Sequence, residues 1–171
     1  MTIDIDKQRV SEQRKQIILD SQYEALFDSV TKLITQLNHL PVALITILDE
    51  NKIKFKSVVG LTGINEMPHE DTFGGWVINN NQYLEIEDVT KNARHFDHFL
   101  VTADTHFRFY AGTPILLPMG EVLGTICVFD TKPNKFNNMQ RDTLIGLADI
   151  VSKVLVTKYA ASVSRATEYQ I

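Results

Sequence analysis

Arg108-Phe-Tyr-Ala-Gly-Thr-Pro-Ile-Leu-Leu-Pro-Met-Gly-Glu-Val-Leu-Gly-Thr-Ile-Cys-Val-Phe-Asp130 is the stretch on which the fold turns. Its first half, taken with the two residues before it, from His106 to Leu117, has the apolar, aromatic and β-branched composition of a strand. Pro118-Met-Gly-Glu121 is turn chemistry, and Leu123 to Asp130 is a second strand. The segment therefore predicts a hairpin.

Upstream, the pattern is helical at first. Leu19, Tyr23, Leu26, Val30, Leu33, Leu37 and Leu40 are spaced alternately four and three apart, with no Gly or Pro from Asp6 to Leu40. That is a heptad-like stripe on one long helix, widened by Phe27 and Ile34 and stopped by Pro41. Val42 to Leu48 then reads as a buried strand and Ile53 to Val59 as its hairpin partner across Asp49–Lys52. Gly60 to Asn65 reads as loop. Asp71 or Thr72 caps a short helix over about 73–80 whose Gly74-Gly75 pair costs about 1 kcal/mol per glycine, so its packing or a close neighbour must compensate. Tyr83 to Glu87 is a short strand, and Asp88 to Val101 is polar with embedded aromatics. Downstream, Asn137 or Asn138 caps a closing helix with Leu144, Leu147, Val151, Val154 and Leu155 on one face. The expected architecture is α+β: a central antiparallel sheet of five or six strands with helices on both sides.

Composition narrows the function. The 171 residues suit about one domain. Lys+Arg is 17 against 21 Asp+Glu, a net charge of −4, which disfavours a nucleic-acid surface or an anionic membrane as partner. Cys127 is the single cysteine, so no intrachain disulfide and no all-cysteine metal site can form. No apolar run approaches the length of a bilayer span. Met1 to Asp6 is acidic and unlike a secretory leader, so a cytoplasmic setting is expected. There is no nucleophile elbow, phosphate-binding loop, H-E-x-x-H or dinucleotide fingerprint.

The chain resembles a GAF domain from about Leu40 to Tyr159. The resemblance rests on Arg108 to Ile115, Gly120 and Leu123 to Asp130, with Asp71-Thr-Phe73, Glu87-Asp88 and Ala93-Arg-His-Phe96 in the expected order upstream. In that segment Gly112 and Pro114 are expected to end one strand, Gly120 to supply the turn and Gly124 to allow close backbone approach. The resemblance implies terminal helices on one face of the sheet and a pocket under short helices and loops on the other. It also implies a parallel dimer through the terminal helices. The organisation expected is a dimerisation helix over 1–40, a sheet and pocket region over 41–137, a closing helix over 138–160 that packs with the first, and a frayed tail over 161–171. The chain departs from its subgroup at Gly74, where members often carry Cys. No bilin attachment is expected. The paired cysteines that relatives reducing free methionine sulfoxide use are missing, and the cyclic-nucleotide arrangement is not evident.

The function expected is therefore a non-catalytic sensory domain for an unidentified small molecule, signalling through its helices to an output protein or to the rest of a longer chain. The alternatives are a ligand-free dimerisation module and, less favoured, a sulfoxide reductase relative. No cofactor or metal is expected. The residues expected to bind a ligand are Phe73, Trp76, Phe99, Arg108, Tyr110 and Cys127. Arg108 could grip an anion with its fork of donors or pair with a nearby carboxylate and lock a loop. The aromatics, with Phe96, could line a pocket or fill a core. Cys127 could sense redox state or serve as a small buried hydrophobe. His95, His98 and His106 lack a third ligand at metal spacing, and Glu85 and Glu87 read as a solvated face. The dimer interface expected comprises Leu19, Tyr23, Leu26, Val30, Leu33, Leu37, Val151 and Val154.

Overall fold

The computed structural model describes residues 20–91, 106–117 and 120–168, together with the helical positions Gln8, Glu12 and Gln16. Six strands form one antiparallel sheet: β1 (Val42–Asp49), β2 (Lys52–Val59), β3 (Glu66–Pro68), β4 (Leu84–Ile86), β5 (Phe109–Leu116) and β6 (Val122–Asp130). Their spatial order is β3-β2-β1-β6-β5-β4. The two hairpins read from sequence, β1–β2 and β5–β6, meet along β1 and β6, with Leu44 opposite Cys127 and Thr46 opposite Thr125. Every residue of β6 is buried, as a strand covered on both faces requires.

Among the described residues, three α-helices cover the sheet: α1 (Glu24–Asn38), α2 (Phe73–Asn80) and α3 (Asn138–Glu168). Tyr23, Phe27, Val30 and Ile34 on the α1 side join Leu144, Ala148, Val151 and Leu155 of α3 and alternate residues of β1, β5 and β6 in one core. The fully buried Phe27 and Ile34 each contribute about 1.5–3 kcal/mol by leaving water. A second core on the opposite face holds α2 against Leu44, Ile53, Tyr110, Cys127 and Phe129. A bulge in β2, with Ser57 opposite Ile45 but Phe55 opposite Thr46, turns Ser57 toward α1. There the Ser57 hydroxyl donates to the Asp28 carboxylate and meets the Thr31 hydroxyl at 2.8 Å, fixing α1 on the sheet.

Several expectations change. The first helix is not continuous to Leu40: Asp20 leaves the helical path and a 3-10 turn, Ser21–Tyr23, precedes α1. The Asp20 carboxylate accepts the Gln22 N–H at 2.9 Å, competing with the helical ladder. β3 was not expected; it pairs with Lys52–Lys54, and Glu66 bridges Lys52 and Lys54 at 2.8 and 2.7 Å. Gly112 and Pro114 do not end a strand but lie within β5. β4 pairs only with Tyr110–Gly112, so Pro114 sits where β5 runs past its outer neighbour. Helix α3 continues to Glu168, through most of the expected tail, and starts from a capping box in which Asn137 and Gln140 exchange hydrogen bonds. Among the described residues no helix is long and apolar enough to cross a membrane.

Candidate functional site

The N-terminus of α2 lies almost on the sheet, and its sequence explains how. Thr72 is extended and its hydroxyl accepts the Gly75 N–H at 3.1 Å. A Cβ on Gly75 would fall 1.9 Å from the His69 carbonyl oxygen. One on Gly74 would touch Ile53 at 3.4 Å. The glycine pair thus lets the first turn approach both the preceding loop and β2, and the packing offsets the propensity cost. Phe73, the first residue of α2, is driven between helix and sheet. Its ring lies 4.9 Å from that of Tyr110, which in turn meets Phe129 edge-on at 5.1 Å.

Beneath Phe73 the sheet presents neutral polar groups. Thr46 and Thr125, neighbours across β1 and β6, share a hydrogen bond of 2.7 Å. Cys127 is buried, and burial pushes its thiol up to about 12. The Tyr110 ring lies along β5 over Gly112, where a Cβ would be 2.2 Å from the tyrosine oxygen. Tyr110 is fully buried, and its hydroxyl finds no well-directed hydrogen bond. Its neighbour Cys127 is too weak an acceptor to satisfy it. Burial, and then the adjacent thiol, hold this phenol far above its ordinary pKa, so it stays a protonated donor. The remaining space among these groups is about 10 Å³, barely the room of one water.

The structure therefore brings together Phe73, Tyr110 and Cys127 of the expected set. It adds Thr46, Ile53, Met67, Gly74, Thr125 and Phe129, which were not among the residues expected to bind a ligand. Trp76 is half-buried at the margin of the same core. Arg108 stands apart from the space: its Nη1 donates to the Phe107 carbonyl at 2.8 Å, while its own backbone bridges Asp130 and Val89. Phe99, with Phe96, His95 and His98, lies outside the described residues. Among the described residues no three His, Cys, Asp or Glu side chains are placed to hold a metal. Glu85 is not a solvated carboxylate; it accepts from the Tyr83 hydroxyl at 2.6 Å and the Phe136 N–H at 3.3 Å, tying β4 to the loop before α3.

The stripe expected at a dimer interface divides. Tyr23, Val30 and Val151 are core residues of their own chain, a correction imposed by the sheet, which takes up the α1 edge centred on Phe27 and Ile34. On α1, Leu33 and Leu37 remain 43% and 58% exposed and Leu26 is half-buried; on α3, Val154 is half-buried and Ile150 52% exposed. Leu19 lies outside the described residues. An open groove of about 620 Å³ runs between the free edge of β5 and α3, but its polar margin is self-paired. Ser152 accepts the Leu116 N–H at 3.0 Å, and Lys153 bonds Asp149 at 2.7 Å.

Known proteins supply the context. The chain is 32% identical over 116 residues to a cyclic di-GMP phosphodiesterase of Pseudomonas aeruginosa, a match covering 68% of this chain and 20% of that protein. The chain thus spans about a fifth of that relative's length. The blue-light-absorbing form of the PixJ GAF domain of Thermosynechococcus elongatus has the same fold, with a TM-score of 0.73, 14% identity and coverage of 87% and 94% of the two chains. So does a type II free methionine-R-sulfoxide reductase of Thermoplasma acidophilum, with a TM-score of 0.63, 17% identity and coverage of 85% and 94%. The GAF domain family matches residues 22–155, and to that family this chain, with its six-stranded antiparallel sheet and helices on both faces, belongs.

Proposed function

We propose that this chain is a sensory module that binds a small molecule between α2 and the sheet and reports its presence through α1 and α3 without catalysing a reaction. The observation that carries the reading is the Tyr110 hydroxyl, a buried donor with no well-directed acceptor in an otherwise closed aromatic interior. A ligand that satisfies it has higher affinity for an opened state than for the closed one, which is the differential affinity a sensor needs. A catalytic thiol reading is unsupported by the chemistry: Cys127 is alone, buried and held protonated. Its freedom from disulfides suits a cytoplasmic, reducing setting.

The exposed or half-buried apolar residues Leu26, Leu33 and Leu37 of α1 and Ile150 and Val154 of α3 support a second element of the reading, a homodimer through these helices. The resemblance to part of a cyclic di-GMP phosphodiesterase supports a reading in which such a module works with a signalling output, in the same chain or another.

Native mass spectrometry of the protein as purified from cells tests the reading. A dimer with a releasable small-molecule adduct is the result expected. A ligand-free chain that no compound of a broad metabolite panel stabilises against heat would sink the sensory reading. Replacing Leu37 with Asp should yield folded monomer, and an unchanged dimer would remove the helix-seam interface.

A further inference from the structure

We propose that the space between α2 and the sheet takes a small, neutral, planar ligand that offers a hydrogen-bond acceptor to Tyr110, occupies the present place of the Phe73 ring, and excludes anions. This rests on the sensory reading of the same site.

The neutrality follows from the lining. Among the described residues that surround the space there is no Lys, Arg or His. The Thr46 and Thr125 hydroxyls satisfy each other, and the Cys127 thiol carries no charge. Arg108, the cation that the sequence offered for an anion, does not line the space. An anionic group placed here would be stripped of water with no counter-charge from the described lining, a cost that its contacts there do not repay. The demand for an acceptor follows from Tyr110, which is protonated, fully buried and without a directed partner. A ligand carbonyl or ring nitrogen would turn that deficit into a buried hydrogen bond.

The planar shape follows from the rings. Phe73 lies at 36° to Tyr110, and Phe129 flanks both at centroid distances of 5.1 and 6.4 Å. The remaining 10 Å³ admits at most a water, so a ligand must take the place of a side chain already there. Phe73 is the side chain placed to yield. It is the first residue of α2, so its ring can swing out by side-chain rotation while Thr72 keeps its cap on Gly75 and the rest of α2 stays packed. Phe73 thus acts as a built-in plug of the ligand's own chemistry, an aromatic ring without the acceptor.

The test uses an isosteric pair, neutral benzamide and anionic benzoate, on the full chain carrying Phe73→Ala, with binding read by calorimetry and thermal shift. Benzamide should bind at least tenfold more tightly than benzoate. Adding Tyr110→Phe should weaken benzamide about threefold to tenfold, the worth of one hydrogen bond. Where Phe73→Ala does not fold, Phe73→Leu opens a smaller space for the same comparison. Benzoate binding as well as benzamide, indifference to Tyr110→Phe, or no binding to a folded variant each overturns the proposal. Failure here is distinguishable from failure of sensing. An anionic metabolite retained by the unaltered chain refutes the neutral class and leaves the sensor. Benzamide selectivity in a chain that retains and answers to no metabolite supports the chemistry and removes the sensor.

Discussion

Replacing Tyr110 with Phe should make the ligand-free domain more stable, although it deletes a polar atom from the centre of the fold. The ring is fully buried and packed against Phe73 and Phe129, and these contacts survive the change. Only the hydroxyl goes, and it has no well-directed hydrogen bond. A buried donor left unsatisfied costs about 1–3 kcal/mol, from which the lost dispersion contacts of one oxygen must be subtracted, leaving a gain of about 1 kcal/mol. In a domain of this length that gain raises Tm by about 2–4 °C. Differential scanning calorimetry should show the rise, and urea unfolding should show a higher midpoint at unchanged slope. A fall in Tm of similar size would refute the reasoning, because it would mean that Cys127 or an enclosed water satisfies the hydroxyl in the closed state. With a rise in Tm, the variant is a more stable but poorer receptor, the trade-off expected where a functional group is kept at a cost in stability.

Three further outcomes follow from the same structure. The hydrogen bonds from Lys52 and then Lys54 hold the Glu66 carboxyl at about 2, against an ordinary 4.5. A depressed folded pKa stabilises above the unfolded value, so the deficit of Glu66→Gln in urea midpoint should be constant near neutrality and should close as pH falls from about 4.5 to 2. Cys127, buried with its thiol at about 12, should resist a thiol reagent in the native state at mildly alkaline pH and react at once in denaturant; rapid native labelling would contradict its placement. Gly124→Ala would set a Cβ 1.8 Å from the Thr46 carbonyl oxygen on the neighbouring strand. That clash is with backbone in the middle of the sheet, so circular dichroism should show a domain that unfolds far more readily or does not fold.

Much of this architecture was legible because its signals are local. The β5–β6 hairpin announces itself through apolar runs around Pro118-Met-Gly-Glu121, and α2 through Thr72. What was not legible depends on partners distant in sequence. β3 is three residues long and contains Pro68; its pairing with Lys52–Lys54 gives it the shape of a strand. The apolar spacing runs through Asp20 without interruption, so periodicity alone hides the break that its carboxylate makes. Periodicity also cannot say which edge of a two-edged helix the sheet will take, and so Tyr23 and Val30 were placed outside. In the site, Phe73 and Tyr110 stood out as aromatics, whereas Thr46 and Thr125 look like ordinary strand residues. Only the pairing of β1 with β6, a contact 79 residues apart in sequence, makes them a couple.

The energetics of the site argue that the closed form is held near a balance point. Moving the Phe73 ring from the core to water forfeits about 1.5–3 kcal/mol. That cost alone weakens any ligand that needs the space by about tenfold to 150-fold relative to an already open pocket. Against it stands the unsatisfied Tyr110 hydroxyl, a deficit of about 1–3 kcal/mol that the closed form carries and an acceptor-bearing ligand removes. The two quantities are of equal order and opposite sign. Phe73 keeps the interior shut in the absence of ligand, and Tyr110 supplies a reason for it to open that only the right ligand can satisfy. A more perfectly paired core would leave nothing for a small molecule to correct, and a core without the plug would be open whether or not the molecule was there.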